Sequence, residues 1–395
     1  PIMRPSIIIL GAGLLGRLLA YSLAKKNYQV AVFEKSPLEH QQSAAYAAAA
    51  MLAPLAESVS CELPIVHMGF YSLTRWPTII EELNANIFFQ HNGSLIIWHQ
   101  QDASVARHFH TQLHQVEQHL DQQYARSVHL DTLALKNLEP NLNPAFAEGI
   151  YLPNEGQLDN RALLDSLLKK GLELGVTYNW QSAKNPSDFP TRSHTWLLDC
   201  RGLGSRPQWQ ALRGVRGEVI RVFAPEVQLQ RPTRLMHPKY PIYIAPKKDH
   251  IYVIGATEIE SEDQSAISVR STLELLSAAY TIHSGFAEAR MLEANAQCRP
   301  TLANNSPAIQ YLNDQTLQIN GLYRHGYLIA PAIVDATLEL IETGTSHTAR
   351  NLAIQIQENQ PDSVELHGSQ NLTCMKASET RILLLCLRHN LFQFP

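Results

Sequence analysis

The sequence has no excess of positive charge. Among its 395 residues, 32 lysines and arginines stand against 36 aspartates and glutamates, which gives a formal net charge of -4. Proteins that bind nucleic acid usually carry a basic patch or a basic net charge that attracts phosphate groups. We therefore predict that this protein does not bind nucleic acid.

Cysteine is also scarce. The five cysteines are odd in number and widely separated, and they form neither a CxxC pair nor a cluster with histidine. This set excludes a disulfide framework and a cysteine metal site, and it favours a reducing, cytoplasmic setting. His110 and His114 lie four residues apart on a predicted polar helix, but a solvated helix face explains them better than a metal site does. We expect no bound metal.

No segment is apolar for long enough to span a membrane or to act as a signal peptide. The apolar strand Ile7 to Leu10 and the glycine loop after it stand where a signal peptide would have its hydrophobic region. The later run from Ala44 to Ala56 contains Tyr46 and Pro54 and is too short to cross a bilayer as a helix. We expect neither secretion nor a membrane span.

What is present describes an ordinary globular protein with a large core. Hydrophobic residues make up 45% of the chain and charged residues 17%, a balance typical of folded proteins. A chain of 395 residues is longer than one hydrophobic core usually supports. We therefore predict two lobes, with three lobes as the alternative.

The N-terminus has the pattern of a dinucleotide-binding fold. A strand is predicted at Ser6 to Leu10, a helix at Leu14 to Lys26 and a second strand at Gln29 to Phe33, and the segment Gly11 to Gly16 has the spacing GxGxxG. In such a loop the first glycine permits a tight turn, the second lets the backbone approach a pyrophosphate, and the third lets helix and strand pack closely. The amides at the helix N-terminus bind the phosphates. We predict an adenine dinucleotide cofactor.

Glu34 narrows the choice of cofactor. It stands at the end of the second predicted strand, 18 residues after Gly16, where an acidic side chain accepts hydrogen bonds from the adenosine ribose. A carboxylate there repels the 2′-phosphate of NADP, so FAD and NAD remain. A surface glutamate without a role is the alternative interpretation.

Two further segments favour a bound cofactor. The segment Ser43 to Pro54 has almost no side-chain bulk, Tyr46 apart, until Met51, so its backbone can approach a flat group. An alanine-rich helix explains the same residues equally well. Gly202 follows a predicted strand, Thr195 to Cys200, at the kind of strand end where ligands of α/β sheets bind.

The rest of the chain predicts a second lobe and a return to the first. Between Val215 and Thr257 apolar and polar residues alternate in short runs, as in antiparallel strands. A turn is predicted at Arg324 to Gly326, between the apolar segments Leu317 to Ile319 and Tyr327 to Ile329. A helix is predicted from Ala332 to Glu342. The segment after about residue 358 suggests no function.

Together these motifs resemble the D-amino-acid oxidase family of FAD-dependent oxidoreductases. After the glycine loop and the small-residue stretch, the matching segments are Tyr243 to Pro246, Gly255 to Thr257, Arg299-Pro300 and Tyr323 to Gly326. The resemblance runs from about Ile7 to about Gly344 and is greatest with the ThiO-type glycine oxidases of thiamine biosynthesis. The chain departs from the family at Ala50, where glycine is common, and at Asn304 to Gln310, where the family has Asp-Gly-x-Pro-x-Ile-Gly.

The resemblance implies an α/β fold, with a Rossmann-like FAD-binding lobe and a second, mostly antiparallel-sheet substrate lobe. It implies non-covalent FAD and a homo-oligomer. The expected FAD-binding lobe is discontinuous and comprises residues 1–85, 145–212 and 300–358, the substrate lobe comprises 86–144 and 213–299, and 359–395 form a C-terminal tail of unknown role.

The resemblance also implies the site residues. Arg299 and Tyr243 are expected to bind the substrate carboxylate, and Arg324 to shape the loop over the flavin while its backbone accepts the substrate amine. A salt-bridged arginine and a tyrosine that only packs are the alternative interpretations. The residues expected to bind the cofactor are Gly11, Gly13, Leu14, Leu15, Gly16, Glu34, Lys35, Ala44, Ala45, Ala49, Ala50, Met51, Gly202, His325, Gly326, Tyr327 and Leu328.

The activity implied is oxidative deamination of glycine or another small amino acid, with hydride passing from the substrate Cα to flavin N5 without a side-chain base. Dioxygen is then reduced to hydrogen peroxide, and the imine product is hydrolysed or handed to a thiazole synthase. Cys298 is near the position at which some sarcosine oxidases attach flavin, but Arg299-Pro300 beside it resembles the non-covalent enzymes. Alternatives are a D-amino-acid or sarcosine oxidase or dehydrogenase of the same fold, and a non-catalytic flavoprotein that serves as a partner or assembly factor.

Overall fold

A computed structural model describes residues 5–190, 192–237 and 239–358. The tail expected from residue 359 onward lies outside these described residues. The helices are α1 Leu14–Lys25, α2 Ala44–Ala47, α3 Pro54–Glu57, α4 Leu63–Leu83, α5 Ala103–Glu117, α6 Thr132–Leu138, α7 Asn160–Glu173, α8 Val269–Ile282, α9 Gly326–Thr343 and α10 His347–Leu352. The strands are β1 Ser6–Leu10, β2 Gln29–Phe33, β3 Met51–Leu52, β4 Phe89–Gln90, β5 Ser94–Ile97, β6 Val128–Leu130, β7 Gly149–Leu152, β8 Gly156–Leu158, β9 Thr177–Asn179, β10 Thr195–Asp199, β11 Arg213–Phe223, β12 Thr233–Leu235, β13 Ile242–Pro246, β14 Ile251–Gly255, β15 Arg290–Thr301, β16 Ala308–Asn313, β17 Thr316–Asn320 and β18 Gln355–Glu358.

The first sheet contains the N-terminal strand predicted from the sequence. It has seven strands in the order β18-β16-β17-β10-β1-β2-β9, and β1 is parallel to both β2 and β10. Ile7, Ile9 and Leu10 are buried, as expected of a parallel strand whose two faces are both covered. The glycine loop therefore leaves the carboxyl end of a central strand, which is where α/β sheets bind ligands.

The second sheet is mostly antiparallel, as expected. Its eight strands follow the order β15-β11-β14-β13-β12-β5-β7-β6, and only the pair β12 and β5 is parallel among the described residues. Helix α8 packs on it and contributes Leu275 and Ile282 to a separate hydrophobic core. The predicted fold class, an α/β fold with a Rossmann-like lobe and an antiparallel-sheet lobe, is confirmed.

Two local interpretations of the sequence differ from the structure, each for a physical reason. The small-residue stretch is not an alanine-rich helix, because α2 ends at Ala47 and the chain turns at Ala50 with a φ of 52°. The segment Tyr327 to Ile329 is the first turn of α9, which begins before the predicted start at Ala332. Its side chains are buried, and a short, wholly apolar run does not distinguish a strand from a buried helix.

The longest helix of the described residues was not predicted from the sequence. Helix α4 is 21 residues long and carries Pro77 in its interior, which interrupts the helical signal in the sequence. Across residues 5–190, 192–237 and 239–358 no helix, α4 included, has the length and apolar character that crossing a membrane requires.

Candidate active site

A cavity of about 550 Å³ is lined by residues from both sheets. One end is formed by the glycine loop and the end of β2, and the other by β13, β15 and the segment before α9. Of the residues expected at the site, all line this cavity except Gly16. The fold thus brings into one space residues that lie up to about 300 positions apart in the sequence.

The glycine loop fits a pyrophosphate because side chains are excluded from its turn. A Cβ on Gly11, whose φ is +96°, would lie 2.6 Å from the carbonyl oxygen of Cys200. A Cβ on Gly16 would lie 1.9 Å from the carbonyl oxygen of Gly11, so Gly16 allows close packing instead of facing the cavity. Gly13 has no neighbour closer than 3.6 Å to such a Cβ, which leaves its backbone open to a ligand.

Glu34 is held against the same loop. Its Oε2 accepts a hydrogen bond from the backbone N–H of Ala12 at 2.8 Å, and its Oε1 accepts one from Ser36 at 2.9 Å. A carboxylate oxygen can accept more than one hydrogen bond, so both oxygens retain capacity for ribose hydroxyls. The geometry fits an adenosine ribose at the end of β2.

Arg17 is a residue of this end that sequence reasoning missed. It is 1% exposed, and its guanidinium donates to the carbonyls of Ala12 and Leu164 at 2.8 and 3.0 Å and to Gln41 Oε1 at 2.9 Å. Burial lowers its pKa, although nearby acidic groups oppose this. All three acceptors are neutral, so an anionic pyrophosphate in the cavity would compensate a buried positive charge. An arginine directly after the third glycine, on the buried face of an apolar helix, was the available signal.

The small-residue stretch is held by its backbone. Asn160 Nδ2 and the Tyr327 hydroxyl each donate to the carbonyl of Ala45 at 2.9 Å. The ammonium of Lys247 donates to the carbonyl of Ala49 at 2.7 Å. These bonds fix the backbone of residues 44–50 along the cavity wall, where only methyl groups reduce the space for a flat ring.

At the end of the cavity formed by β13 and β15, Arg299 is a cation that the structure leaves available for an anionic ligand. Its Nη1 and Nη2 both donate to the carbonyl of Thr257 at 3.3 Å. Within the described residues it has no carboxylate at salt-bridge distance. A cavity-lining guanidinium without a counter-ion is suited to bidentate binding of a carboxylate.

Tyr243 lies beside Arg299 in the same cavity. It faces Gly255 directly across the β13–β14 pair, where a Cβ would lie 2.6 Å from the Tyr243 hydroxyl. Burial raises the pKa of Tyr243, although the Arg299 charge opposes the shift. The hydroxyl therefore keeps its proton and can donate a hydrogen bond to an anion.

Arg324 is already paired. Its Nε donates to Glu57 Oε2 at 2.7 Å, its Nη1 to Glu258 Oε2 at 2.5 Å and its Nη2 to Ser60 Oγ at 2.7 Å. All three nitrogens have protein partners, so the side chain holds the loop before α9 and has little capacity to clamp a substrate.

The sequence analysis also did not identify Glu57, a carboxylate at the end of the cavity formed by β13, β15 and the segment before α9. Glu57 accepts from Arg234 Nη2 at 2.8 Å as well as from Arg324. Burial would raise the pKa of Glu57, but the guanidinium groups of Arg324 and Arg234 lower it well below its usual value. Glu57 is therefore an anion. The available signals were its place just after the small-residue stretch and an arginine inside the short buried strand β12.

Two buried groups complete the surroundings of Glu57. His325 is 2% exposed, its Nδ1 lies 3.6 Å from Glu57 Oε2 without a hydrogen bond, and burial lowers its pKa to about 4, so its imidazole is neutral. The carboxyl of Glu155 accepts from the backbone N–H groups of Leu55 and Ala56 at 2.8 and 3.1 Å. It thereby fixes α3, the helix that ends at Glu57.

Comparison with known proteins gives a family match. A family model described as FAD dependent oxidoreductase matches residues 6–340 of this chain. A Rhizobium etli protein named as a thiamine biosynthesis oxidoreductase, ThiO, is 34% identical over 327 residues, which cover 83% of this chain and 93% of that protein.

Glycine oxidases and fused proteins are also similar. The glycine oxidase of Geobacillus kaustophilus is 25% identical over 384 residues, which cover 89% of this chain and 96% of that enzyme. A crystal structure of glycine oxidase from the same organism superposes with a TM-score of 0.73 at 23% identity, over 86% of this chain and 95% of that one, which shows a shared fold. A bifunctional ThiO/ThiG protein of Synechocystis is 23% identical over 85% of this chain but only 51% of its own length.

Proposed function

This chain belongs to the FAD-dependent oxidoreductase family whose model it matches, and from that premise we propose that it oxidises glycine or another small amino acid. One observation carries the proposal: Arg299, whose guanidinium hydrogen-bonds only to the carbonyl of Thr257 among the described residues, lines the same cavity as the glycine loop. A cation without a counter-ion beside a flavin site is the group that an amino-acid carboxylate requires.

Arg299 and Tyr243 would bind the substrate carboxylate together. The guanidinium supplies charge and two parallel donors, and the Tyr243 hydroxyl supplies a neutral donor. Thr257 orients the guanidinium through its carbonyl, and its own Oγ1 donates to buried Glu218 at 3.0 Å. A substrate held in this way is presented in one orientation, which is the protein's main contribution to a reaction whose electrons go to a cofactor.

The amine end of the substrate would lie towards the segment before α9. The side chain of Arg324 is fixed by Glu57 and Glu258, so its backbone is held in place and its carbonyl is our candidate acceptor for the amine. The amine reacts in its neutral form. His325 is a weak base because burial lowers its pKa to about 4, and the charge of Glu57 is neutralised by two guanidinium groups. Neither residue is therefore suited to act as a general base, and none is required.

When bound, FAD supplies the redox chemistry by taking two electrons from the substrate and passing them to dioxygen, which becomes hydrogen peroxide. The side chains of the cavity supply orientation and charge. The substrate Cα would lose a hydride, which leaves an iminium ion. The iminium nitrogen would then release one proton to water to give the imine. Water hydrolyses that imine to an oxo acid unless another enzyme takes it first.

The cavity wall favours a small substrate. Ala50 is buried and Met51 is half-buried, and both line the cavity. A larger side chain on the substrate Cα would compete with them for space. We therefore propose glycine as the preferred substrate, with sarcosine and D-alanine as the nearest alternatives.

The cofactor would be held without a covalent bond. Cys298 precedes Arg299 on β15, and its thiol lies 3.8 and 3.5 Å from the carbonyls of Ser261 and Asp263. Burial raises the pKa of this thiol, and a thiol that stays protonated is a poor nucleophile.

The product would pass to a thiazole synthase. The Synechocystis relative is named as a bifunctional ThiO/ThiG protein, and this chain matches about half of its length. A fusion keeps a short-lived product near the next active site. We propose the same transfer for the product of this chain.

Oxygen uptake by the purified protein tests the proposed function. The protein with its bound FAD is supplied in turn with glycine, sarcosine and D-alanine. Fastest uptake on glycine supports the proposal, and fastest uptake on another of these compounds assigns that substrate. Bleaching of the flavin without oxygen uptake would indicate a dehydrogenase, and no bleaching with any amino acid would indicate a non-catalytic flavoprotein.

A further inference from the structure

Among the described residues, five charged side chains line the substrate end of the cavity, which is the end formed by β13, β15 and the segment before α9. The cations are Arg234, Arg299 and Arg324, and the anions are Glu57 and Glu258, and all five line the cavity. Arg324 lies between the two carboxylates, and Arg234 lies on the far side of Glu57. Three positive charges against two negative charges leave one positive charge, which is the charge that a single carboxylate neutralises.

Glu57 is the more buried of the two carboxylates. Its side chain is 12% exposed against 37% for Glu258, and its partners Arg234 and Arg324 are 9% and 17% exposed. Solvent therefore screens the charge of Glu57 less. The Arg324 and Arg234 guanidiniums keep the pKa of Glu57 low against the effect of burial, so this negative charge is permanent.

Arg234 lies where a second acidic group would reach. Its strand β12 pairs with β13 so that Arg234 is directly opposite Tyr243, which lies beside Arg299. Within the described residues its only side-chain hydrogen bond goes from Nη2 to Glu57. Without Glu57, Arg234 would be a second cation without a counter-ion in the same cavity.

We propose that Glu57 determines the substrate class by charge balance: it neutralises Arg234 and thereby restricts the site to amino acids with one carboxylate. This inference rests on the proposed function and deepens it. A second carboxylate of the substrate would meet a site whose single surplus charge is already neutralised. The second carboxylate would also approach the carboxylate of Glu57. Repulsion between two like charges about 5 Å apart in a partly buried site raises the Kd by about tenfold or more.

The test compares two ligands of nearly equal shape that cannot be oxidised as amino acids. Malonate carries two carboxylates, and malonamate replaces one of them by a neutral amide. Each is titrated into the FAD-bound protein at a pH at which malonate is a dianion, and the shift of the flavin absorption band gives the Kd. The measured quantity is the ratio of the malonate Kd to the malonamate Kd.

Glu57→Gln keeps the shape of the side chain and removes its charge. We expect this variant to lower the Kd ratio by about tenfold or more relative to the unchanged protein. The double variant Glu57→Gln with Arg234→Gln restores the original charge balance and should return the ratio close to its starting value. Glu262→Gln removes a charge from an exposed ion pair with Arg206 and should leave the ratio unchanged.

An unchanged ratio in Glu57→Gln, with FAD still bound, would overturn the proposal. If that variant does not fold, Arg234→Gln decides alone, because loss of a cation should raise the ratio and an unchanged ratio would again contradict the proposal. The Kd ratio needs no turnover, so it tests charge selection separately from the oxygen-uptake test of the proposed function.

Discussion

Gly217 and Arg299 lie on adjacent strands, and the guanidinium of Arg299 occupies the space where a side chain at position 217 would stand. A Cβ built on Gly217 would lie 2.1 Å from Nη2 of Arg299. Because position 217 on β11 has no side chain, the guanidinium of Arg299 on β15 has room to extend into the cavity.

Gly217→Ala should displace Arg299. The added methyl group cannot share the space of the guanidinium, so the group must move away from Thr257 and from the proposed carboxylate position. We expect KM for the amino acid to rise by about tenfold or more, which corresponds to about 1.4 kcal/mol of lost binding, with FAD retained. Gly214→Ala lies on the same strand away from the guanidinium, and steady-state kinetics should show a smaller rise. Equal KM values for the two variants would contradict this role of Gly217.

Glu34→Arg should weaken FAD binding. The substitution removes the proposed acceptor for the ribose hydroxyls and also the acceptor of the Ala12 N–H bond. We expect the Kd for FAD, measured by titrating the apoprotein and following flavin fluorescence, to rise by about tenfold or more, since a charged hydrogen bond contributes about 1.5 to 3 kcal/mol. Glu39→Arg makes the same charge change at an exposed position nearby and is the control. Equal loss of FAD in both variants would show that net charge, and not ribose binding, is responsible.

Glu155 should give the protein a measurable pH dependence of stability. Burial raises the pKa of Glu155 from 4.5 to about 7. Because the folded-state value is the higher one, the native protein binds more protons between these pH values, so this contribution to the free energy of unfolding is fully present below pH 4.5 and is lost as pH rises through about 7. Glu155→Gln, whose side chain is neutral at all pH values, should lack that decrease. Denaturant unfolding at pH 5 and pH 8 measures the difference, and parallel behaviour of the two proteins would contradict it.

Ala50→Gly should stabilise the backbone beside the flavin. Ala50 has a φ of 52°, a conformation that costs an L-residue about 1 kcal/mol relative to glycine. Glycine also loses more conformational entropy on folding, so we expect a net gain of about 0.5 kcal/mol or less in this buried turn, together with more room for the substrate. Ala49→Gly, at a buried neighbour without a positive φ, should destabilise the protein. Thermal unfolding of the two variants gives the comparison.

The part of the cavity formed by the glycine loop and Glu34 could be predicted from the sequence because the residues that form it are close together in the chain. The strand before Gly11, the helix after it and Glu34 at the end of the next strand lie within 30 residues, and the structure reproduces their predicted bounds to within one residue. A spacing motif of this kind constrains backbone geometry directly.

The pairing of charged side chains at the other end of the cavity could not be predicted in the same way. Glu57, Arg234 and Glu258 come from a short helix, a three-residue strand and a loop, and their proximity depends on how the two sheets meet. Nothing in the local sequence shows that Arg324 is paired on both sides while Arg299 is not. The fold of residues 44–50 was ambiguous for a related reason, since tertiary hydrogen bonds from Asn160 and Lys247 override the helical propensity of alanine.

The most direct test of the proposed function compares glycine with methylamine, which is glycine without its carboxylate, in the unchanged protein, in Arg299→Ala and in Tyr243→Phe. We expect the unchanged protein to oxidise glycine efficiently and methylamine only slowly. For glycine, both variants should lower kcat/KM. The loss should correspond to about 2 to 5 kcal/mol of transition-state stabilisation for Arg299→Ala and to about 0.5 to 1.5 kcal/mol for Tyr243→Phe, because a charged contact to the substrate is stronger than a neutral hydrogen bond. Oxidation of methylamine as fast as glycine, or a greater loss from Tyr243→Phe than from Arg299→Ala, would contradict the proposed function.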